Sequence, residues 1–173
     1  YVIAASDINP KSGIRLSSKK KSFPFQHGWI RHRTMLINAI DAIQASQTSS
    51  VLFMDATFVL PNSDRDAKAE YLDKRITGAV FFDINLVADQ SSPLPHTMPD
   101  AAGFTDHMRL LGLNADHMVI IYDQSGMLSA ARAWWMLRYF GHGHVAILDG
   151  GLPAWVAAGG AVETGAPKTP ETG

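Results

Sequence analysis

From Met35 onward, short runs rich in β-branched and aromatic residues alternate with stretches of helical period, and few folds accept that alternation. Parallel strands joined by crossover helices satisfy it, so the class is α/β. The runs 51–56, 79–84, 118–122 and 145–148 read as buried strands, and Leu36 with Ile37 as a short first strand. Asn38 can cap a helix carrying Ile40, Ile43 and Gln44. A second helix spans 66–74 with Ala67, Tyr71 and Leu72 on one face. After a Ser- and Pro-rich loop at 89–99, Phe104, Met108 and Leu111 stand at i, i+4, i+7 of a third helix that Gly112 ends. Residues 128–140 form a fourth helix, with Leu128, Ala131, Trp135 and Tyr139 as its stripe and Gly141 and Gly143 closing it. Pro153 opens the last helix, at 153–158.

The domain reading follows from these elements. Residues 35–163 make one domain, and 173 residues suit a single core. Residues 164–173 carry Gly, Pro, Thr and charge without periodicity and read as the start of a linker. Residues 1–34 are basic and serine-containing: Lys11, Arg15, Lys19, Lys20, Lys21, Arg31 and Arg33 face only Asp7. Three readings stay open for them. They are a targeting leader, a disordered extension, or upstream sequence that is not translated, since the first methionine is Met35.

Charge and composition exclude several classes. Lys and Arg total 15 against 16 Asp and Glu, so no net field draws the chain to nucleic acid or anionic lipid. No apolar run approaches the roughly 18 to 20 residues of a membrane span. A soluble cytoplasmic protein is expected, mitochondrial instead if residues 1–34 are a transit peptide. The chain has 0 cysteines, which removes disulfides, thiolate metal sites and any thiol nucleophile within it.

In an open parallel sheet, ligands bind beyond the carboxyl ends of the strands, where loops enter helix amino termini. Residues 123–129 form such a loop, after the most apolar strand and before the most apolar helix, so its amides can converge on an anion. Asp123 opens it and can accept those amides itself. Ser125 lacks the glycine two residues earlier that a nucleophile elbow requires and reads as a turn serine. His142 and His144 flank Gly143 without ligand spacing, so no metal is assigned. Gly150-Gly151 matches no nucleotide pattern and reads as a tight turn under Trp155. Trp134 and Trp135 point about 100° apart, one into the core and the other toward a partner surface. For Arg132 the alternatives are a surface ion pair or a contact with a partner.

Several motifs occur together: Asp55-Ala56-Thr57-Phe58 followed by Arg65-Asp66-Ala67, Gly78 through Ile84, Ser91-Ser92-Pro93 with His96 and Pro99, Tyr122-Asp123, Ser129-Ala130-Ala131-Arg132-Ala133-Trp134-Trp135-Met136, and Asp149-Gly150-Gly151 before Trp155. This set resembles the amino-terminal domain of two-domain rhodanese-type thiosulfate and 3-mercaptopyruvate sulfurtransferases. The resemblance implies a rhodanese-like, five-stranded parallel sheet with helices on both faces, paired with a second rhodanese domain that carries the catalytic cysteine. It implies sulfane sulfur transfer from thiosulfate or 3-mercaptopyruvate to cyanide or a thiol through a cysteine persulfide, with a small-molecule sulfur donor and no cofactor. Asp123 holds the position of the nucleophile, so the chain has no catalytic residue of its own. Phe58, Leu128 and Ser129 are implied as one wall of the interdomain cleft, with Asp66 near it. The family has histidine, isoleucine and proline where this chain has Arg75-Ile76-Thr77, and Arg75, like Arg132, becomes a candidate for holding a substrate carboxylate or an interdomain contact. The alternative is a stand-alone inactive rhodanese module used for binding or regulation.

Overall fold

The computed structural model describes residues 35–48, 50–168 and 173; the readings made for residues 1–34 lie outside these. Strands β1 (Leu36–Ile37), β2 (Val51–Asp55), β4 (Val80–Phe81), β5 (Met118–Tyr122) and β6 (Val145–Leu148) form one parallel sheet in the order β1-β6-β5-β2-β4. A pair missed in the sequence, β3 (Arg75–Ile76) and β7 (Val162–Glu163), runs antiparallel beside it. Two-residue strands carry too little period to be seen in a sequence.

Side chains alternate across the central strands and sort into two cores. On one face Met54, Val119, Ile121, Val145 and Ile147 pack against α3 (Ile84–Val87), α4 (Ala101–Leu110) and α5 (Ala130–Tyr139). On the other, Phe53, Ile120, Tyr122, Ala146 and Leu148 meet α1 (Ala39–Ala45) and α6 (Gly151–Ala157). The expected α/β sheet with helices on both faces is present. Each fully buried aliphatic side chain contributes about 1.5–3 kcal/mol, which makes this two-sided sheet the main source of stability. Helix α2 (Ala67–Asp73) is held by Tyr71, whose hydroxyl donates to the Ala79 carbonyl at 2.7 Å.

The helix caps follow the sequence closely. Asn38 accepts from the Asp41 amide, Asp66 from Lys68 and Ala69, and Asp100 from Gly103. Asp83 does the same for Asn85, so Ile84 starts a helix and the strand expected over 79–84 shrinks to β4. The stripe expected on the fourth helix is also corrected. Leu128 precedes α5, and the buried face is Ala130, Ala133, Met136 and Leu137, which leaves Ala131, Trp135 and Tyr139 outside. Both faces have helical period; on the sheet side Ala130 and Ala133 let α5 approach β5 and β6, with Met136 and Leu137 filling the rest of the contact. The last helix begins at Gly151, earlier than expected. Among the described residues no helix is long and apolar enough to cross a membrane.

Gly151 owes its identity to a close approach. It has φ 56°, and a Cβ there would collide with the Asp123 carbonyl and Gly126. The glycine that packs under Trp155 is Gly160 rather than the Gly150-Gly151 pair. Residues 164–168 do not leave the domain freely. The Gly165 amide donates to Leu72 O at 2.7 Å, and Gly165 O accepts from Arg75 Nη1 at 2.6 Å.

Candidate functional site

The carboxyl ends of β2 and β5 lie in register, Asp55 beside Tyr122, and the loops beyond them build the site. Asp123, the first residue past β5, is fully buried. Its Oδ1 accepts the amides of Ser125 at 3.0 Å and Met127 at 2.9 Å, and its Oδ2 those of Ser129 at 2.7 Å and Ala130 at 3.0 Å. The acceptance of loop amides expected of Asp123 is therefore present. The last two donors are at the amino terminus of α5, where the helix dipole favours negative charge. Met127 adopts φ 84° to aim its amide inward, a conformation that costs a side-chain-bearing residue roughly 1–2 kcal/mol. The loop's shape is that of an anion cradle whose anion is its own side chain.

Ser129 joins this loop to the neighbouring one. Its hydroxyl donates to Ala56 O at 2.8 Å and accepts from the Phe58 amide at 3.1 Å. A cleft of about 410 Å3 opens there, walled by Phe58, His96, Leu128, Ser129 and Arg132. Phe58 and His96 meet edge to face at 4.9 Å. Arg132 donates to the His96 carbonyl at 2.9 Å and lies 5.1 Å over the Trp135 ring, so it is anchored by the loop at 89–99 rather than by an ion pair. Of the proposed cleft residues, Phe58, Leu128 and Ser129 come together and Arg132 joins them; Asp66 instead caps α2.

Arg75 is elsewhere, and the carboxylate-holding or interdomain role considered for it is corrected. It is 1% exposed; its guanidinium binds Glu163 through Nε at 3.0 Å and Nη2 at 2.9 Å and reaches the carbonyl of Gly165, clamping β3 to β7. The physical cause is pairing: residue 75 lies in β3 directly opposite Glu163 of β7.

A buried network escaped the sequence reading. Asp55 takes hydrogen bonds from the amide and hydroxyl of Thr57 on Oδ1 and from Gln124 Nε2 on Oδ2. The Gln124 amide in turn donates to the Thr57 hydroxyl at 3.0 Å. Burial pushes the Asp55 carboxyl above its ordinary value of 3.8, against the opposing pull of Thr57 and Gln124. Burial likewise pushes the Tyr122 phenol well up; its oxygen accepts the Ile76 amide at 3.2 Å. The available signal was an aspartate ending an apolar run on the ligand-facing edge. At the loop's outer side Arg65 donates to the Ser125 hydroxyl at 2.8 Å and pairs with Glu70, which raises the arginine and lowers the glutamate. Both are solvent-exposed enough that this pair adds little.

A parallel sheet with a cradle loop between β5 and α5 defines a rhodanese-type domain. The rhodanese-like domain model matches residues 42–158, and the chain belongs to that family. It is 46% identical over 122 residues to 3-mercaptopyruvate sulfurtransferase of Escherichia coli K12, covering 70% of this chain and 43% of that one. It is 34% identical over 165 residues to thiosulfate/3-mercaptopyruvate sulfurtransferase 1, mitochondrial, of Arabidopsis thaliana, covering 95% and 40%. The crystal structure of SseA from Escherichia coli superposes with TM-score 0.71 at 40% identity, covering 81% of this chain and 56% of that one. The chain thus spans less than half the length of these curated relatives.

Proposed function

We propose that this chain is the non-catalytic half of a two-domain sulfurtransferase. The second rhodanese domain, in this reading, supplies a cysteine that takes sulfane sulfur from thiosulfate or 3-mercaptopyruvate as a persulfide and passes it to cyanide or a thiol. The observation that carries the proposal is the Asp123 carboxylate inside the amide cradle. That loop places an anion where a persulfide-forming domain would hold sulfur, yet a carboxylate cannot form a persulfide, and the chain contains 0 cysteines. The match covers less than half the length of these sulfurtransferases, which supports a second, reactive half. Phe58, Leu128 and Ser129 then wall the donor's cleft, Asp66 stands outside it, and Arg132, which lines the cleft, would meet a donor carboxylate or the partner domain.

The test is assay of the purified chain with thiosulfate and cyanide, and with 3-mercaptopyruvate and a thiol. No thiocyanate and no pyruvate above the buffer rate are expected. Turnover by the chain alone would overturn the reading. Adding a cysteine-bearing rhodanese half in trans should restore part of the activity, limited by the lost effective concentration of a linker.

A further inference from the structure

The cleft beside the cradle loop is electrically one-sided. Its lining holds two ionisable side chains, His96 and Arg132, both basic, set among apolar residues and Ser129. Among the described residues no carboxylate lines it, and the buried Asp123 carboxylate beyond Ser129 already accepts four amides. A guanidinium has five N–H donors, and one of those of Arg132 goes to the His96 carbonyl.

Three other segments converge on His96. Asn85 of α3 accepts from its Nε2 at 3.0 Å, Phe58 after β2 meets its ring edge to face at 4.9 Å, and Arg132 of α5 holds its carbonyl at 2.9 Å. The backbone there has φ 55°, a conformation rare outside glycine. Residues kept in such regions by the contacts around them concentrate at ligand sites. The other side-chain-bearing residues with positive φ among the described ones are Asn62, in a turn, and Met127, whose amide serves the cradle. The ring's hydrogen bond also fixes its chemistry. An amide oxygen only accepts, so Nε2 carries a proton and Nδ1 is the atom that gains or loses one. Neutral, Nδ1 presents a lone pair that repels an oxyanion; protonated, it is a charged donor.

We propose that His96 is an oxyanion-binding residue of this cleft, which together with Arg132 takes a carboxylate or thiosulfate oxygen of the sulfur donor on this half of the protein. The inference rests on the functional reading above and deepens it, because it gives the half without a thiol its own, proton-dependent contact with the donor. On the elements that touch the ring, the charged groups next to the contact points are Arg132 on α5, Asp83 at the head of α3 and Asp89 on the same loop. Asp83 and Asp89 are bound by the amides of Asn85 and Ser91, and the loop after β2 contributes the uncharged Phe58. Arg132 keeps its charge at every accessible pH, so a pH dependence of anion binding reports on the histidine.

The experiment is titration of the purified chain with sodium thiosulfate and, separately, with pyruvate, which has the carboxylate of 3-mercaptopyruvate without its thiol. Ionic strength is held constant and the histidine ring protons are followed by NMR. The His96 resonances are identified by their loss in His96→Asn, asparagine being another residue that tolerates positive φ. They are expected to move saturably with at least one of the two anions, with an affinity severalfold higher at about pH 6 than at about pH 8. In His96→Asn that pH dependence should vanish while the thermal midpoint stays near the parent's. The absence of a saturable shift at His96 with either anion overturns the proposal. So does an affinity equally pH-dependent in His96→Asn, which assigns the proton to another group. Proton-dependent binding at His96 in a chain whose full-length form transfers no sulfur overturns the functional reading and leaves the anion site standing. Sulfur transfer by the full-length protein with no response at His96 does the reverse.

Discussion

Asp55 ends β2 and Asp123 follows the neighbouring β5; both are fully buried, yet they are satisfied in different ways. Asp123 is surrounded by backbone: four amides of one loop converge on it. Asp55 is held by the amide and hydroxyl of Thr57 and by the side chain of Gln124. A ring of amides at a helix terminus is fixed by the path of the chain and favours a full negative charge. Asp55 has one backbone amide and two side-chain donors, none of them at a helix terminus, and burial outweighs them, so its carboxyl is pushed up. The position that resembles a nucleophile site is thus the one built for an anion, and its neighbour is built as a brace.

The largest effect should come from Asp123→Ala. It leaves four loop amides without their acceptor, and urea unfolding should show a loss of about 3 kcal/mol. Asp55→Ala should cost less, about 2 kcal/mol, because it strips three donors rather than four and Gln124 Nε2 keeps the Lys74 carbonyl. Equal losses in the two variants would erase the distinction between cradle and brace. Asp123→Cys sharpens it: the cradle should stabilise a thiolate by about 1.4 kcal/mol, which lowers its pKa roughly one unit from the free value of about 8.5. Alkylation rate against pH measures this, and a midpoint at or above the free value would show that the amides do not act as an anion site.

The smallest effect concerns pH. Asp55 has its folded pKa raised, so between its ordinary value of 3.8 and the folded value the native state binds more protons than the unfolded one. The stability contributed by its protonated form is complete below the ordinary value and is lost as pH rises through the folded pKa. Urea midpoints of the parent chain and Asp55→Asn, followed from about pH 4 to about pH 8, should show this decline in the parent only. Matching slopes would place the proton elsewhere.

Local chemistry made much of the molecule legible. Asn38, Asp66 and Asp100 cap the helices they precede because a short polar side chain beside a helical run has few better partners. The apolar runs became the sheet's strands, and Asp123 could be placed in its cradle because strand, loop and helix are contiguous in the chain. Contacts that depend on distant segments were not legible. Arg75 was read as a candidate for a substrate carboxylate or an interdomain contact, but it is buried against Glu163 and Gly165, about ninety residues away. The apolar stripe read on the fourth helix is the outward one, because two apolar stripes of the same period compete on that helix.

The sequence by itself determined the α/β class, the strand runs, the caps and the absence of a thiol, all of which follow from neighbours along the chain. Only the tertiary structure decided which side of α5 the sheet covers, which buried acid meets amides and which meets Thr57 and Gln124, and where Arg75 finds its anion. Those choices depend on how closely segments remote in sequence can approach, which spacing along a single chain does not encode.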